Sequence, residues 1–533
     1  MARAEKAVTD ELPPASLNRD WIVIALMGLV AGLTSALVLF ASPWGIGVGY
    51  DSYFYLSAAQ TLSDGIGLGR IHASGAFIPL THFPPLYPTS ITLVTQLSGS
   101  PSADAARWLQ ALLAGLLPVS VGLVAARSHG RWVGLAGAVY VAASPVLFAR
   151  HLWAMSESVF YLVLVANWLA LAAFTRRPSI RLAGVGGVLA GLGYLTRYAG
   201  VSIVGMWALV WLLLPHNQGR SRWITLAAFA LACSLAVLPW VVRNQLLDQA
   251  LTNRSLVFHP PTLDQFKEAG RALASWLPVS QLPLWLRLGA VLIVGGGLST
   301  IPLLAWRDES RGEHRAVFGW PAIIPLAFAG AYLAMLLLSL TLFDASTPLD
   351  SRILSPIYLA LVVSALFTLP TLVAAASRRL RLALAGAGLL VFFVFANATY
   401  VLAADARADG LGFNSRAWRR SPTVAAVREL PSDILIYSNE SFPVSFHTGR
   451  PVFSVPERLD PVLSSERPDW EQAVAEMHVR LAQTEGVLVL IHPNELRVEM
   501  PPIETLTMGL VPLMEANDGT IYISRDSHQP SSG

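Results

Sequence analysis

Asp51 is the acid whose surroundings best suit chemistry. It lies in Gly49-Tyr-Asp-Ser-Tyr-Phe-Tyr55, directly after an apolar run long enough to cross a membrane. Tyr50, Tyr53, Phe54 and Tyr55 ring it. A carboxylate just past a membrane exit can take the proton of an attacking hydroxyl, or orient that hydroxyl. It can equally cap a helix that starts near Ser52, and the two roles are compatible. The same loop ends on Thr81-His-Phe-Pro-Pro-Leu-Tyr-Pro88, a rigid proline turn.

Glu157 is the second acid, in His151-Leu-Trp-Ala-Met-Ser-Glu-Ser158 at the start of another apolar run. A first-turn acid complements a helix dipole, and Glu157 also falls on the same membrane face as Asp51. Three arginines share that face: Arg197 between two apolar runs, Arg243 at the end of one and Arg352 at the start of another. Arginine at membrane depth is costly and turns to a polar cavity or a partner. Its planar fork suits a phosphate, whereas headgroup snorkelling is the plainer role. His72, His82 and His151 fall on this side too, but no pair has the helical spacing of a metal site. The aromatics Tyr53, Tyr55, Phe83 and Tyr87 can stack on a sugar ring or belong to an interfacial belt.

These residues need a membrane to position them. Of 533 residues, 54% are hydrophobic and 13% charged, against about 25% charged in soluble domains. The net charge of +3 gives no nucleic-acid signal. The single Cys233 forms no intrachain disulfide and argues against a thiolate metal site. Uncharged runs of roughly 18 residues or more read as spans. They cover 21–41, 108–126, 132–149, 158–175, 182–215, 223–242, 288–306, 318–343, 353–377 and 382–404. The first run follows a polar leader and reads as a span, not a cleavable signal peptide. The run 182–215 is interrupted by Arg197 and reads as two short helices meeting there, which brings the count to about eleven spans.

Basic residues then alternate with the spans. With Arg3, Lys6 and Arg19 in the cytoplasm, the same side receives Arg127 and Arg131, then Arg176, Arg177 and Arg181. Arg220 and Arg222, then Arg307, Arg311 and Arg315, and finally Arg378, Arg379 and Arg381 follow. The other side receives the Asp51 loop, Glu157, Arg197, the segment 243–287 and the turn 344–352. Residues 1–404 are therefore expected to form a membrane domain, with a first outer loop at 42–107. Residues 405–533 have soluble composition, with strands expected at 434–437, 486–491 and 520–523 and a helix at 470–483. They read as an extracytoplasmic α/β domain with a disordered tail. The Gly-rich stretch 184–193 reads as close helix packing, not as a phosphate loop.

In order, Gly49-Tyr-Asp-Ser-Tyr-Phe-Tyr55, Phe83-Pro-Pro-Leu-Tyr-Pro88, Ser156-Glu157, Leu195-Thr-Arg197, Pro239-Trp-Val-Val-Arg-Asn244 and Arg352-Ile-Leu-Ser-Pro356 form a pattern. With Tyr437-Ser-Asn439 and His447-Thr-Gly-Arg-Pro451, it resembles the GT-C fold glycosyltransferases. The likeness is to the bacterial relatives of protein O-mannosyltransferases and lipid A aminoarabinose transferases. The resemblance implies a polytopic α-helical membrane enzyme of the cytoplasmic membrane that takes a sugar from a polyprenyl-phosphate carrier. The acceptor would be a hydroxyl of a glycan, lipid or protein. By resemblance Asp51 and Glu157 are the catalytic acids, and Arg197, Arg243 and Arg352 hold the donor phosphate. Tyr53, Tyr55, His82, Tyr87 and Asn244 are expected to line the substrate. Tyr50-Asp51-Ser52 stands where the family has a paired acid, which speaks against a two-carboxylate metal site, and no cofactor is assigned. No segment reads as the MIR-type domain of the protein mannosyltransferases, so a protein acceptor is not specifically implied. The alternative is a lipid or glycan transporter or flippase, which calls for repeat symmetry and broken helices at the bilayer midplane.

Overall fold

The computed structural model describes residues 21–214, 219–248, 257–310, 319–343, 347–460 and 465–525. The basic residues Arg3, Lys6, Arg19, Arg311 and Arg315 lie outside the described residues. So do the tail 527–533 and parts of the segments 243–287 and 344–352.

The chain begins with α1 (Trp21–Ala41) and then a loop region with structure of its own. That region holds α2 (Tyr50–Ser63), a hairpin of β1 (Gly69–Ile71) and β2 (Phe77–Pro79), and α3 (Leu86–Ser98). There follow α4 (Ser102–His129), α5 (Arg131–Ala143), α6 (Pro145–His151), α7 (Glu157–Arg176), α8 (Ile180–Thr196) and α9 (Val201–Leu213). The helical part is completed by α10 (Gly219–Asp248), α11 (Leu263–Ser275), α12 (Leu284–Ser310), α13 (Gly319–Leu342), α14 (Ser355–Ala375) and α15 (Arg378–Asp409). Among the described residues, eight of these are long and apolar enough to cross a membrane, namely α1, α4, α7, α10 and α12–α15. The α5–α6 pair makes a ninth if it is one bent span. Leucines, valines and aromatics on the outward faces of α10, α12 and α15 remain exposed, as helices facing lipid require.

Two breaks shape the bundle. The run 182–215 divides at Arg197, whose extended backbone (φ −150°) separates α8 from a short 3-10 turn leading into α9. The run 132–149 is not one straight helix: α5 and α6 meet at 63°. Pro145 lacks an amide donor and moves Ser144 out of the helical region (φ −72°, ψ 113°). The carbonyl of Ala143 that the break frees accepts from Thr399 Oγ1 at 2.7 Å.

After α15 comes the α/β part, with α16 (Arg416–Arg419), α17 (Pro422–Glu429), β3 (Ile436–Ser438), α18 (Ser441–Thr448) and β4 (Phe453–Ser454). It continues through α19 (Trp470–Gln483), β5 (Val487–Ile491), α20 (Ile503–Leu506), β6 (Leu510–Ala516) and β7 (Gly519–Ser524). The sheet order is β4-β3-β5-β7-β6, parallel across β4, β3 and β5 and antiparallel beyond. Central β5, Val-Leu-Val-Leu-Ile, is buried on both faces, as a covered strand should be. Val487, Val489 and Ile491 pack with Val424 and Val427 of α17, and Leu488 and Leu490 with Val474, Met477 and Leu481 of α19.

The glycines of α8 let it approach α10 closely. A Cβ on Gly187 would lie 2.3 Å from the carbonyl oxygen of Phe229, whereas one on Gly184 would meet nothing within 4 Å. Gly187→Ala should therefore push α8 and α10 apart and destabilise the bundle by about 1–3 kcal/mol. Gly184→Ala should not. Thermal unfolding in detergent checks this, with a lower midpoint expected for Gly187→Ala alone.

Candidate active site

Asp51 stands in the first turn of α2, whose N-cap position is Gly49 with no side-chain cap bond. Asp51 therefore does not act as the cap, and its carboxylate is free to turn to a partner. The partner is Arg352, whose Nη1 donates to Asp51 Oδ2 at 2.7 Å. Arg352 Nε also lies 3.8 Å from Glu157 Oε1. Glu157 in turn meets Arg197, with Nη1 2.5 Å from Oε1, as an ion pair and not an aligned hydrogen bond. The result is a chain of alternating charge, Asp51–Arg352–Glu157–Arg197, drawn from α2, the segment before α14, the start of α7 and the α8–α9 break.

Exposure grades along this chain. The Glu157 side chain is 1% exposed, Arg197 15%, Arg352 23% and Asp51 34%. Glu157 is thus the buried anchor, and Asp51 is the end that solvent reaches. Breaking a buried pair by removing one charge costs about 3–5 kcal/mol, so Glu157 is held to its arginines.

Local structure sets each member. Asp350 Oδ1 accepts from the amides of Arg352 and Ile353, both at 2.8 Å, forming an Asx turn that aims Arg352. Tyr161 donates to Ser355 Oγ at 2.5 Å, and Ser355 donates to the Arg352 carbonyl at 2.5 Å. Asp350, Ser355 and Tyr161 are positioning groups that sequence reasoning missed. The visible sign was an Asp two residues before an Arg at a helix start.

The start of α2 is fixed by the connector 42–49. The amide of Gly47 donates to the Leu152 carbonyl and the amide of Ala154 to the Gly47 carbonyl, both at 2.8 Å. The amide of Phe413 donates to the Val48 carbonyl at 2.8 Å, and Asn414 Nδ2 to the Ile46 carbonyl at 2.8 Å. Gly412 (φ +57°) allows this contact, because a Cβ there would come within 2.1 Å of the Val48 oxygen. Tyr50 OH donates to Glu440 Oε2 at 2.6 Å, tying α2 to the α/β domain. Burial first, and that bond to Glu440 second, push the Tyr50 phenol well above its ordinary pKa.

The other expected site residues behave differently. Arg243 donates to the carbonyls of Leu80 (2.8 Å) and Leu68 (3.1 Å) and to Asn244 Oδ1 (3.1 Å), with its guanidinium 4.8 Å from the Trp240 ring centre. Asn244 Nδ2 donates to the Thr81 carbonyl at 3.3 Å. Both residues grip the first loop. Tyr87 is fully buried and accepts from Gln110 Nε2 at 2.9 Å, and Tyr55 packs edge-on against it. These two rings hold the loop together and offer no open face to a sugar. Tyr55 OH lies 3.4 Å from Ser156 Oγ. His82 packs edge-on to Phe83, and Tyr53 faces Phe442 of α18. Among the described residues no three His, Cys, Asp or Glu side chains gather as metal ligands.

The chain has the GT-C fold. Two solved structures carry the likeness. ArnT from Cupriavidus metallidurans, bound to undecaprenyl phosphate, superposes with a TM-score of 0.58 at 15% identity, covering 95% of this chain and 98% of that one. The oligosaccharyltransferase AglB from Archaeoglobus fulgidus, in complex with an inhibitory peptide and a dolichol-phosphate, superposes at 0.53 and 12% identity, covering 97% and 76%. Residues 82–240 match the dolichyl-phosphate-mannose-protein mannosyltransferase family. Over 167 residues the chain is 30% identical to the lipid A galacturonosyltransferase RgtD of Rhizobium johnstonii. That match covers 30% of this chain, which spans about a third (34%) of the curated relative's length.

Two predictions separate anchoring from gripping. Glu157→Gln should strand Arg197 and lower stability by about 3–5 kcal/mol, read as a fall in the melting midpoint. Arg243→Gln should release residues 65–82, so that hydrogen exchange speeds up there and stays unchanged in α13 and α14.

Proposed function

We propose that this chain is a membrane glycosyltransferase that moves a sugar from a polyprenyl-phosphate carrier to an acceptor hydroxyl. The observation that carries the reading is the Asp51–Arg352 pair within a GT-C fold. The loop of Asp51 and the α/β domain pack against each other and so share one side of the membrane. The alternation of basic residues supports placing that side outside the cytoplasmic membrane.

The carrier phosphate arrives at the level of the helix ends, where Arg352 and Arg197 lie. When the phosphate takes Arg352, the Asp51 carboxylate loses that partner and is free to accept from the hydroxyl of the acceptor. The acceptor oxygen then attacks the anomeric carbon, its proton passes to Asp51, and the bond from that carbon to the phosphate oxygen breaks. The phosphate leaves with the electron pair, and the arginines stabilise its charge. A single displacement inverts the anomeric centre. Glu157, buried under both arginines, is a positioning residue here, and Arg243 acts on the loop that covers the site. The name of the Rhizobium relative makes lipid A the first acceptor to test, and a galacturonosyl group the first sugar.

The test gives purified protein a polyprenyl-phosphate sugar or the matching nucleotide sugar, each with acceptor. Transfer is expected from the lipid-linked donor only, and transfer from the nucleotide sugar alone would reject the reading. Asp51→Asn should lower kcat by about 10²–10⁴ with the melting midpoint unchanged. Arg352→Gln should raise KM for the donor as well as lower kcat, because it touches the phosphate and the base.

A further inference from the structure

A cleft opens between the β1–β2 hairpin and the α/β domain. Tyr53, Arg70 and His72 line it from the first loop, and Ser441, Ser445 and Ser454 from the other side. Its hydroxyls are arranged in contact: Ser441 and Ser454 Oγ are 2.6 Å apart, and Tyr53 OH is 3.4 Å from Ser445 Oγ. Arg70 is half-buried, with its guanidinium 5.4 Å from the Phe54 ring centre. Among the described residues no carboxylate pairs with it. A partly buried cation whose fork lacks an acceptor is poised for an anion.

We propose that this cleft binds an anionic group, a phosphate or carboxylate, carried by the acceptor, with Arg70 as its ligand. The inference rests on the transferase reading for the word acceptor, but not for the binding itself. Position separates it from the donor. Half of the cleft belongs to the α/β domain, whereas a lipid-anchored donor phosphate meets arginines at the membrane helix ends. Position also links it to the base. Phe54 is three residues beyond Asp51, so the two share a face of α2, and Arg70 lies over Phe54. An acceptor held by its charge at Arg70 can thus present a hydroxyl one helical turn away, at Asp51. His72 is held below the ordinary histidine pKa by burial and then by Arg70, and so is neutral near pH 7. It adds a ring, edge-on to Phe453 at 5.5 Å, that closes the cleft; Arg450 also lines it, but its Nη1 is engaged by the carbonyls of Val427 and Leu430.

The test measures binding to the detergent-purified full chain by calorimetry, with glucosamine 1-phosphate, glucosamine and inorganic phosphate as probes. The sugar phosphate should bind, and glucosamine at least about tenfold more weakly, the scale of a lost charge-assisted contact. Arg70→Gln should weaken the sugar phosphate by a similar factor, Arg70→Lys by less, and both variants should melt like the wild type. Four results would each overturn the proposal. They are no binding by the wild type, equal binding by Arg70→Gln, inorganic phosphate binding as tightly as the sugar phosphate, and displacement of the probe by undecaprenyl phosphate. The readout is binding, so a negative transfer assay would defeat the transferase reading while leaving the cleft assignment to stand or fall here.

Discussion

A carboxylate that is 1% exposed at the head of a membrane helix requires a cation, and Glu157 has two arginines within reach. Much of the structure answers this requirement. The α8–α9 pair breaks where Arg197 must turn inward, and the Asx turn at Asp350 delivers Arg352 from much later in the chain. Charge neutrality is completed only at the surface, where Asp51 closes the row. The unit is balanced, two acids against two bases, so an arriving anion meets a site whose cations are already shared. Such an anion must displace something, and the most exposed member, Asp51, is the one that can leave.

The second constraint is the first loop. A stretch of this length outside the membrane would wander without ties, and its ties are mostly to backbone. Arg243 and Asn244 hold the carbonyls of Leu68, Leu80 and Thr81, and Tyr87 fills the core beneath α2. Side chains that look like ligands by type are here used to keep a peptide chain in place.

That difference explains what the sequence could tell. The membrane class, the break at Arg197, the helix 470–483 and the strand 486–491 were legible, because each is a run of one polarity with a plain interruption. The bend at Ser144–Pro145 was also written there, in a proline that the apolar run concealed. The role of Arg243 was not legible, because its acceptors are carbonyl oxygens that every residue carries. Strand β6 escaped because it lies at an exposed edge and shows no buried alternation. The pairing of Glu157 with Arg197 had a signal: two opposite charges in apolar runs on one membrane face each need a partner, and they are most simply each other's.

The connector 42–49 limits how the two parts of the chain can be exchanged. It donates to and accepts from 152–154 on one side and accepts from 413–414 on the other, at a spacing that Gly412 permits. The α/β domain is therefore not an appendage that can be exchanged at α15. A chimera that imports a foreign domain without its matching 44–50 segment would lose the seating of Val48 and, with it, the start of the helix that carries Asp51. The natural unit of exchange is discontinuous, a short piece near the amino end together with everything after residue 410.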